Sequence, residues 1–196
     1  MASTLAALPA PGLAIFPDLI AQKQETIIMK ADYFQKTFAV YLQDGTPILT
    51  ITGESLSLSR RKTFTNAQGT QLCQLRHHKR GKYYAETSSG QNIWNLSAKS
   101  RFMGTRSVVS FANVVDGARQ VEMDMKARFI SGTLRWGNLD VAVVERKSWK
   151  MKAEYHITIA AGCDMFLPVA LVLALHDKAK AASSGGAAGA GGGAAC

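Results

Sequence analysis

The stretch Arg76-His-His-Lys-Arg-Gly-Lys82 places four fixed cations and two histidines within seven residues. Groups of this kind serve phosphate recognition or, where imidazoles converge, metal binding and proton transfer. The histidines do not converge. Adjacent residues on an extended strand point to opposite faces, so His77 and His78 can neither hold one metal ion together nor pass one proton between them. The cations are less constrained, and a turn at Arg80-Gly81 would project Arg76, Lys79, Arg80 and Lys82 from one end of a hairpin, an arrangement suited to phosphates. Arg60, Arg61 and Lys62 form a second cluster of the same sign. The chain has 23 basic and 14 acidic residues, and between Arg60 and Arg106 ten basic residues face a single acid, Glu86. The rest of the chain is balanced.

Other chemically capable residues are better explained by structure. Glu122 and Asp124, two apart on a strand, share its solvent face, where they meet lysines more readily than sugars. Cys163 precedes a helix, a position that can lower a thiol pKa, but a small buried apolar residue accounts for it more simply. His156 falls on the polar face of a strand, and His176 near a helix C-terminus fits a favourable interaction with the helix dipole. Cys73, Cys163 and Cys196 are odd in number and far apart, which argues against a disulfide scaffold or a zinc site. No catalytic set, metal site or cofactor motif emerges, and the expectation is a protein that is not an enzyme.

The elements that must carry these residues are mostly strands. Val121 to Phe129 alternates apolar and polar residues, as does Trp149 to Ile159. Phe38-Ala-Val-Tyr-Leu42, Asp44-Gly45 and Ile48-Leu-Thr-Ile51 read as two strands joined by a tight turn. The segment starting at Gly45-Thr46 is echoed at Gly69-Thr70, with further turn signals at Asp116-Gly117 and Gly137-Asn138. So many short strands at this spacing imply an antiparallel meander that closes or stacks.

After Ile159 the period changes. Asp164 is suited to a helix N-terminus, and Met165 to Leu175 are eleven consecutive uncharged residues, apolar on every side: Met165, Leu167, Val169, Leu171, Val172, Leu173 and Leu175 offer no polar face. Pro168 fits the first helical turn, where backbone N–H groups have no partner within the helix. Eleven residues rise only about 16 Å, well short of the roughly 30 Å of a bilayer core, so this is not a simple transmembrane anchor. A helix apolar all round must instead be enclosed by protein. The predicted fold is therefore mainly β: a closed antiparallel barrel around a central hydrophobic C-terminal helix at about residues 164–178. That helix would fill the interior and leave no room for a lipocalin-like ligand.

The ends look different. Residues 1–24, interrupted by Pro9, Pro11 and Pro17 and lacking a basic residue before Lys23, match neither a secretory nor a mitochondrial leader and are expected to form a flexible, exposed arm. Residues 181–196 are almost all Ala, Gly and Ser and are expected to be disordered. The barrel domain is expected over residues 25–180, in an intracellular monomer that is cytoplasmic, peripheral at a membrane, or nuclear.

Phe38-Ala-Val40 through Gly45, Asn66-Ala-Gln-Gly69, and Gly162-Cys-Asp164 with its apolar helix resemble the LURP-one-related family, whose fold is the Tubby C-terminal-like barrel shared with phospholipid scramblases. The resemblance implies about twelve strands around one hydrophobic helix, and a link to phosphoinositides, membranes and plant defence. It does not imply scramblase activity, because no calcium-ligand cluster or palmitoylation-type cysteine run is present. Three readings of the basic clusters stay open. They could be a solvated strand edge that discourages aggregation. They could form a face for anionic phospholipid or phosphoinositide, made by Arg60, Arg61, Lys62, Arg76, Lys79, Arg80 and Lys82. Or they could be a surface for a protein or nucleic-acid partner, with Tyr83-Tyr84 as stacking groups in the last case.

Overall fold

In the computed structural model, the structure describes residues 4–34, 36–54, 61–78, 82–101, 104–126, 131–148 and 152–185. Twelve strands run in chain order: β1 (Glu25–Ala31), β2 (Thr37–Leu42), β3 (Pro47–Gly53), β4 (Lys62–Asn66), β5 (Gln71–His78), β6 (Lys82–Glu86), β7 (Asn92–Arg101), β8 (Gly104–Asn113), β9 (Gly117–Lys126), β10 (Ser131–Trp136), β11 (Leu139–Ser148) and β12 (Glu154–Ile159). Each pairs antiparallel with its chain neighbours, and β1 closes the barrel against β12 through a register from Glu25↔Ile159 to Lys30↔Glu154. Closure removes both free sheet edges.

The strands follow the alternation in the sequence. Val121, Met123 and Met125 of β9, and Tyr155, Ile157 and Ile159 of β12, point inward and are buried. The repeated turn grammar has one geometric cause. At Leu42/Thr46, Asn66/Thr70 and Thr87/Gln91 the first residue donates its N–H to the carbonyl of the last, at 2.8–2.9 Å. Gly45, Gly69 and Gly90 take the fourth position with φ of 93°, 84° and 82°. This left-handed conformation costs glycine nothing and closes a hairpin with a bulge.

Inside the barrel runs α1 (Phe166–Gly185), with Phe166, Leu167 and Val169 to Leu175 all at most 1% exposed. Pro168 is its third residue, in the first turn as expected. The helix is longer than the predicted 164–178. It continues through Ala179, Lys180 and Ala181, because alanine and lysine are strong helix formers and nothing there breaks the ladder. Residues 181–185, expected to be disordered, are thus helical, and the remainder of that tail lies outside the described residues. His176 is consequently mid-helix, not near a C-terminus.

The N-terminal segment is not the exposed arm that its prolines suggested. Leu13, Ala14, Ile15, Leu19 and Ala21 are buried, and Phe16 meets Phe166 edge to face at 5.0 Å. Backbone bonds from Leu13 N–H to the Gly162 carbonyl, Asp164 N–H to the Leu13 carbonyl and Ala21 N–H to the Cys163 carbonyl, at 2.8–3.0 Å, tie it across the point where α1 enters. Pro11 lies in a turn closed by the Gly12 N–H to the Pro9 carbonyl and Pro17 opens a single 3-10 turn, and the segment's apolar side chains cover a mouth that would otherwise expose the first turn of α1.

In a meander the connections alternate between the two barrel ends. The arm closes one end, where the β2–β3, β4–β5, β6–β7, β8–β9 and β10–β11 turns lie. At the opposite, exit end α1 leaves the strands, and the β1–β2, β3–β4, β5–β6, β7–β8, β9–β10 and β11–β12 connections join there.

Candidate functional site

Asp164 organises the arm end. Its carboxylate is fully buried and accepts N–H bonds from Ile15 at 2.7 Å, Phe16 at 2.5 Å and Phe166 at 2.8 Å, so it caps α1 and fastens the arm with the same two oxygens. Burial raises its pKa to about 6, against the pull of those three donors. Asn113 adds a second fastening by accepting the Ala14 N–H at 2.7 Å.

The exit end holds an interior polar cluster. Lys62 points into the barrel, 7% exposed, and pairs with Asp177 at 2.8 Å while its Nζ lies 4.9 Å from the centre of the Phe38 ring. His176 Nδ1 shares a 2.8 Å hydrogen bond with the Tyr155 hydroxyl. The edges and faces of Phe38 and Tyr155 surround its ring. Burial, then the charges of Lys62, Arg146 and Lys180, push the His176 pKa down to about 3, so the imidazole is neutral. Lys178 donates to the Ala98 carbonyl at 3.0 Å, and burial lowers its pKa.

The sequence-derived basic face divides under this geometry. Lys62 leaves it: position 62 has the inward parity of β4, and the ammonium is committed to Asp177. Arg61 is half-buried and pairs with Glu54 at 3.6 Å, and Arg76 pairs with Glu86 on the neighbouring strand. Lys82 is exposed. Arg60, Lys79 and Arg80 lie outside the described residues. Tyr83 is buried inside, leaving Tyr84 alone on the outer wall opposite Arg76, so the two tyrosines offer no joint stacking platform.

A different arrangement of charge appears instead. Apart from Lys23, every lysine whose side chain is described lies toward the exit end. Lys30, Lys36, Lys82, Lys126, Lys147 and Lys152 are exposed around its rim. Lys30 and Lys147 pair with Glu154 and Glu145. Lys36, Lys82, Lys126 and Lys152 have no carboxylate in ion-pairing range among the described residues. The arm end carries Asp18, Asp44, Asp116 and Asp140. This axial polarity went unseen in the sequence, where Lys36, Lys126 and Lys152 are scattered; counting alternate connections of the meander would have gathered them.

Two surface grooves are electrically mixed. One of about 330 Å³ beside β1, β2 and β12 is lined by Lys30 and Lys152 but also by Asp32 and Glu154. Another of about 530 Å³ on β8 to β11 sets Lys126 and Arg135 against Asp124 and Glu145. Among the described residues no three His, Cys, Asp or Glu side chains gather as a metal site. Cys73 and Cys163 are buried thiols whose pKa values burial drives upward, which keeps them protonated. His77 packs its ring on Tyr83 at 4.9 Å. No helix among the described residues is long and apolar enough to cross a membrane.

These features define a class: a closed twelve-stranded antiparallel barrel wrapped on a hydrophobic helix, with one mouth sealed and the other ringed by lysines. The LURP-one-related family model matches residues 24–177, and the chain belongs to that family. A protein of Arabidopsis thaliana, solved by X-ray crystallography, has the same fold: TM-score 0.63 at 16% identity, covering 85% of this chain and 98% of that one. Among curated proteins none matches.

Proposed function

We propose that this barrel is a non-enzymatic docking module that binds reversibly to membrane surfaces rich in anionic phospholipid, phosphoinositides among them, in stress or defence signalling as the family resemblance implies. The observation that carries this reading is the gathering of exposed lysines at the exit end, away from the aspartates of the arm end. A lysine near an anionic surface gains about 1 kcal/mol, so the four unpaired ones supply about 4 kcal/mol, close to a thousandfold in affinity. Arg60, Lys79 and Arg80 lie outside the described residues and stay in the proposal through their charge alone. Arg61 and Arg76, already paired, contribute less.

The non-enzymatic reading is supported by the helix-filled interior and by the inert state of the buried thiols and of His176. The nucleic-acid reading loses its stacking pair and rests on charge alone. Co-sedimentation with vesicles of neutral lipid, and with the same vesicles containing phosphatidylserine or phosphoinositide, tests the proposal. Binding to the anionic vesicles alone, weakened by salt, is expected. Equal binding to both, or none to either, refutes it.

A further inference from the structure

The β1–β2 connection at the exit end presents two aromatic rings to solvent. Tyr33 is 55% and Phe34 70% exposed, and their rings pack edge to face at 5.3 Å. The only other large hydrophobic side chains of comparable exposure among the described residues are Val114 and Val115, which lie at the arm end beside Asp116.

The tip that carries the rings is held in shape. The Asp32 carboxylate accepts the Lys36 N–H at 2.8 Å, and the Asp32 N–H donates to the Thr37 carbonyl at 2.8 Å. The aromatic pair therefore follows directly on a residue, Asp32, that is bonded across the connection. Lys36 is part of that connection, and Lys30 and Lys152 stand on the strands and connection beside it.

Isolated exposed apolar residues are ordinary on protein surfaces. What distinguishes this pair is that both rings project from the end with the cationic rim, whereas among the described residues no aromatic ring of comparable exposure projects from the arm end. Tyrosine and phenylalanine favour the boundary between headgroups and acyl chains, where lysines at the same level meet phosphates. Charge complementarity selects the occupant: an acidic bilayer offers apolar depth and negative charge over the whole width of the barrel mouth.

Resting on the lipid-docking reading above, we infer that Tyr33 and Phe34 form a membrane-inserting wedge. The barrel would then stand with its exit end down, the aromatic pair in the interfacial layer and Lys36, Lys82, Lys126 and Lys152 on the headgroups. Binding would combine charge with insertion, and the orientation would keep the arm end, with Asp164 and the entrance of α1, facing away from the lipid.

The test uses the full chain and the variant Tyr33→Ser/Phe34→Ser, whose circular dichroism should match the parent because both side chains are exposed. Co-sedimentation with phosphatidylserine-containing vesicles should weaken by roughly ten- to a hundredfold in the variant, the scale expected for two aromatic side chains half withdrawn from water. The parent chain injected under a monolayer of the same lipid should raise the surface pressure, and the variant should not. If the variant binds and raises pressure as the parent does, the wedge is refuted while lipid docking stands. If the parent itself fails to bind anionic vesicles, both are refuted.

Discussion

Replacing His176 with glutamine should change how stability depends on pH more than stability at neutral pH. In the folded protein the imidazole is enclosed by Phe38 and Tyr155, with Lys62 and Arg146 nearby, and its pKa is about 3. In the unfolded chain it returns to the ordinary 6.5. Below pH 6.5 the unfolded state takes up a proton that the folded state refuses, so folded stability is present above 6.5 and drains away as pH falls toward 3. Each unit is worth about 1.4 kcal/mol, giving a loss of about 3 kcal/mol between pH 6.5 and 4. Asp164 works in the opposite direction. Its folded pKa of about 6 is above the ordinary 3.8, so the folded state holds the extra proton and stability rises as pH falls through that interval, by up to about 3 kcal/mol. The two contributions nearly cancel between pH 6 and 4, and this pair should leave the parent protein almost flat there. Glutamine can still hydrogen-bond to the Tyr155 hydroxyl but cannot titrate. Urea unfolding followed by tryptophan fluorescence should therefore find His176→Gln gaining about 3 kcal/mol on the parent as pH drops from 7 to 4, at unchanged m-value. Asp164→Asn should lose by a similar amount over the same range. Parallel pH profiles for parent and His176→Gln would refute the assignment of a buried neutral histidine.

Three other outcomes follow from the core and its closures. Leu171→Asp places a charge at a position with 0% exposure and no partner, a cost of several kcal/mol against a total stability of about 5 to 15, and should abolish the cooperative thermal transition. Gly12→Ala would set a Cβ 2.3 Å from the Gly162 carbonyl oxygen at a φ of +76°; it should cost about 1 to 3 kcal/mol and make the arm cleavable in limited proteolysis before the barrel is. Lys62→Met leaves Asp177 without its partner and should destabilise by about 3 to 5 kcal/mol in chemical denaturation, with much of the loss recovered in Lys62→Met/Asp177→Leu.

Lys62 marks where reading the basic clusters from sequence fails. Beside Arg60 and Arg61 it looks like one more surface cation, and only its strand parity turns it inward. Its partner is 115 residues away on α1. The arm misled for a related reason: prolines and the lack of a strong period suggest an exposed coil, yet a segment without repeating structure can still be buried when it covers an opening. Its apolar residues, Leu13, Ile15 and Leu19, were the available signal. Tyr33 and Phe34 carry no distinctive signal in the sequence, because two aromatics between strands look like core and only the turn carries them outward.

The strands, the glycine-closed hairpins and the enclosed helix are legible along the chain, because side-chain period and backbone sterics are local properties that need no knowledge of partners. An apolar run too short for a bilayer and without a polar face leaves few solutions other than a surrounding barrel. Tertiary structure alone decided which cations remain on the surface and which end of the barrel they share. Parity and closure fix those relations: every second connection of a meander reaches the same mouth, so lysines far apart along the chain become neighbours around one rim.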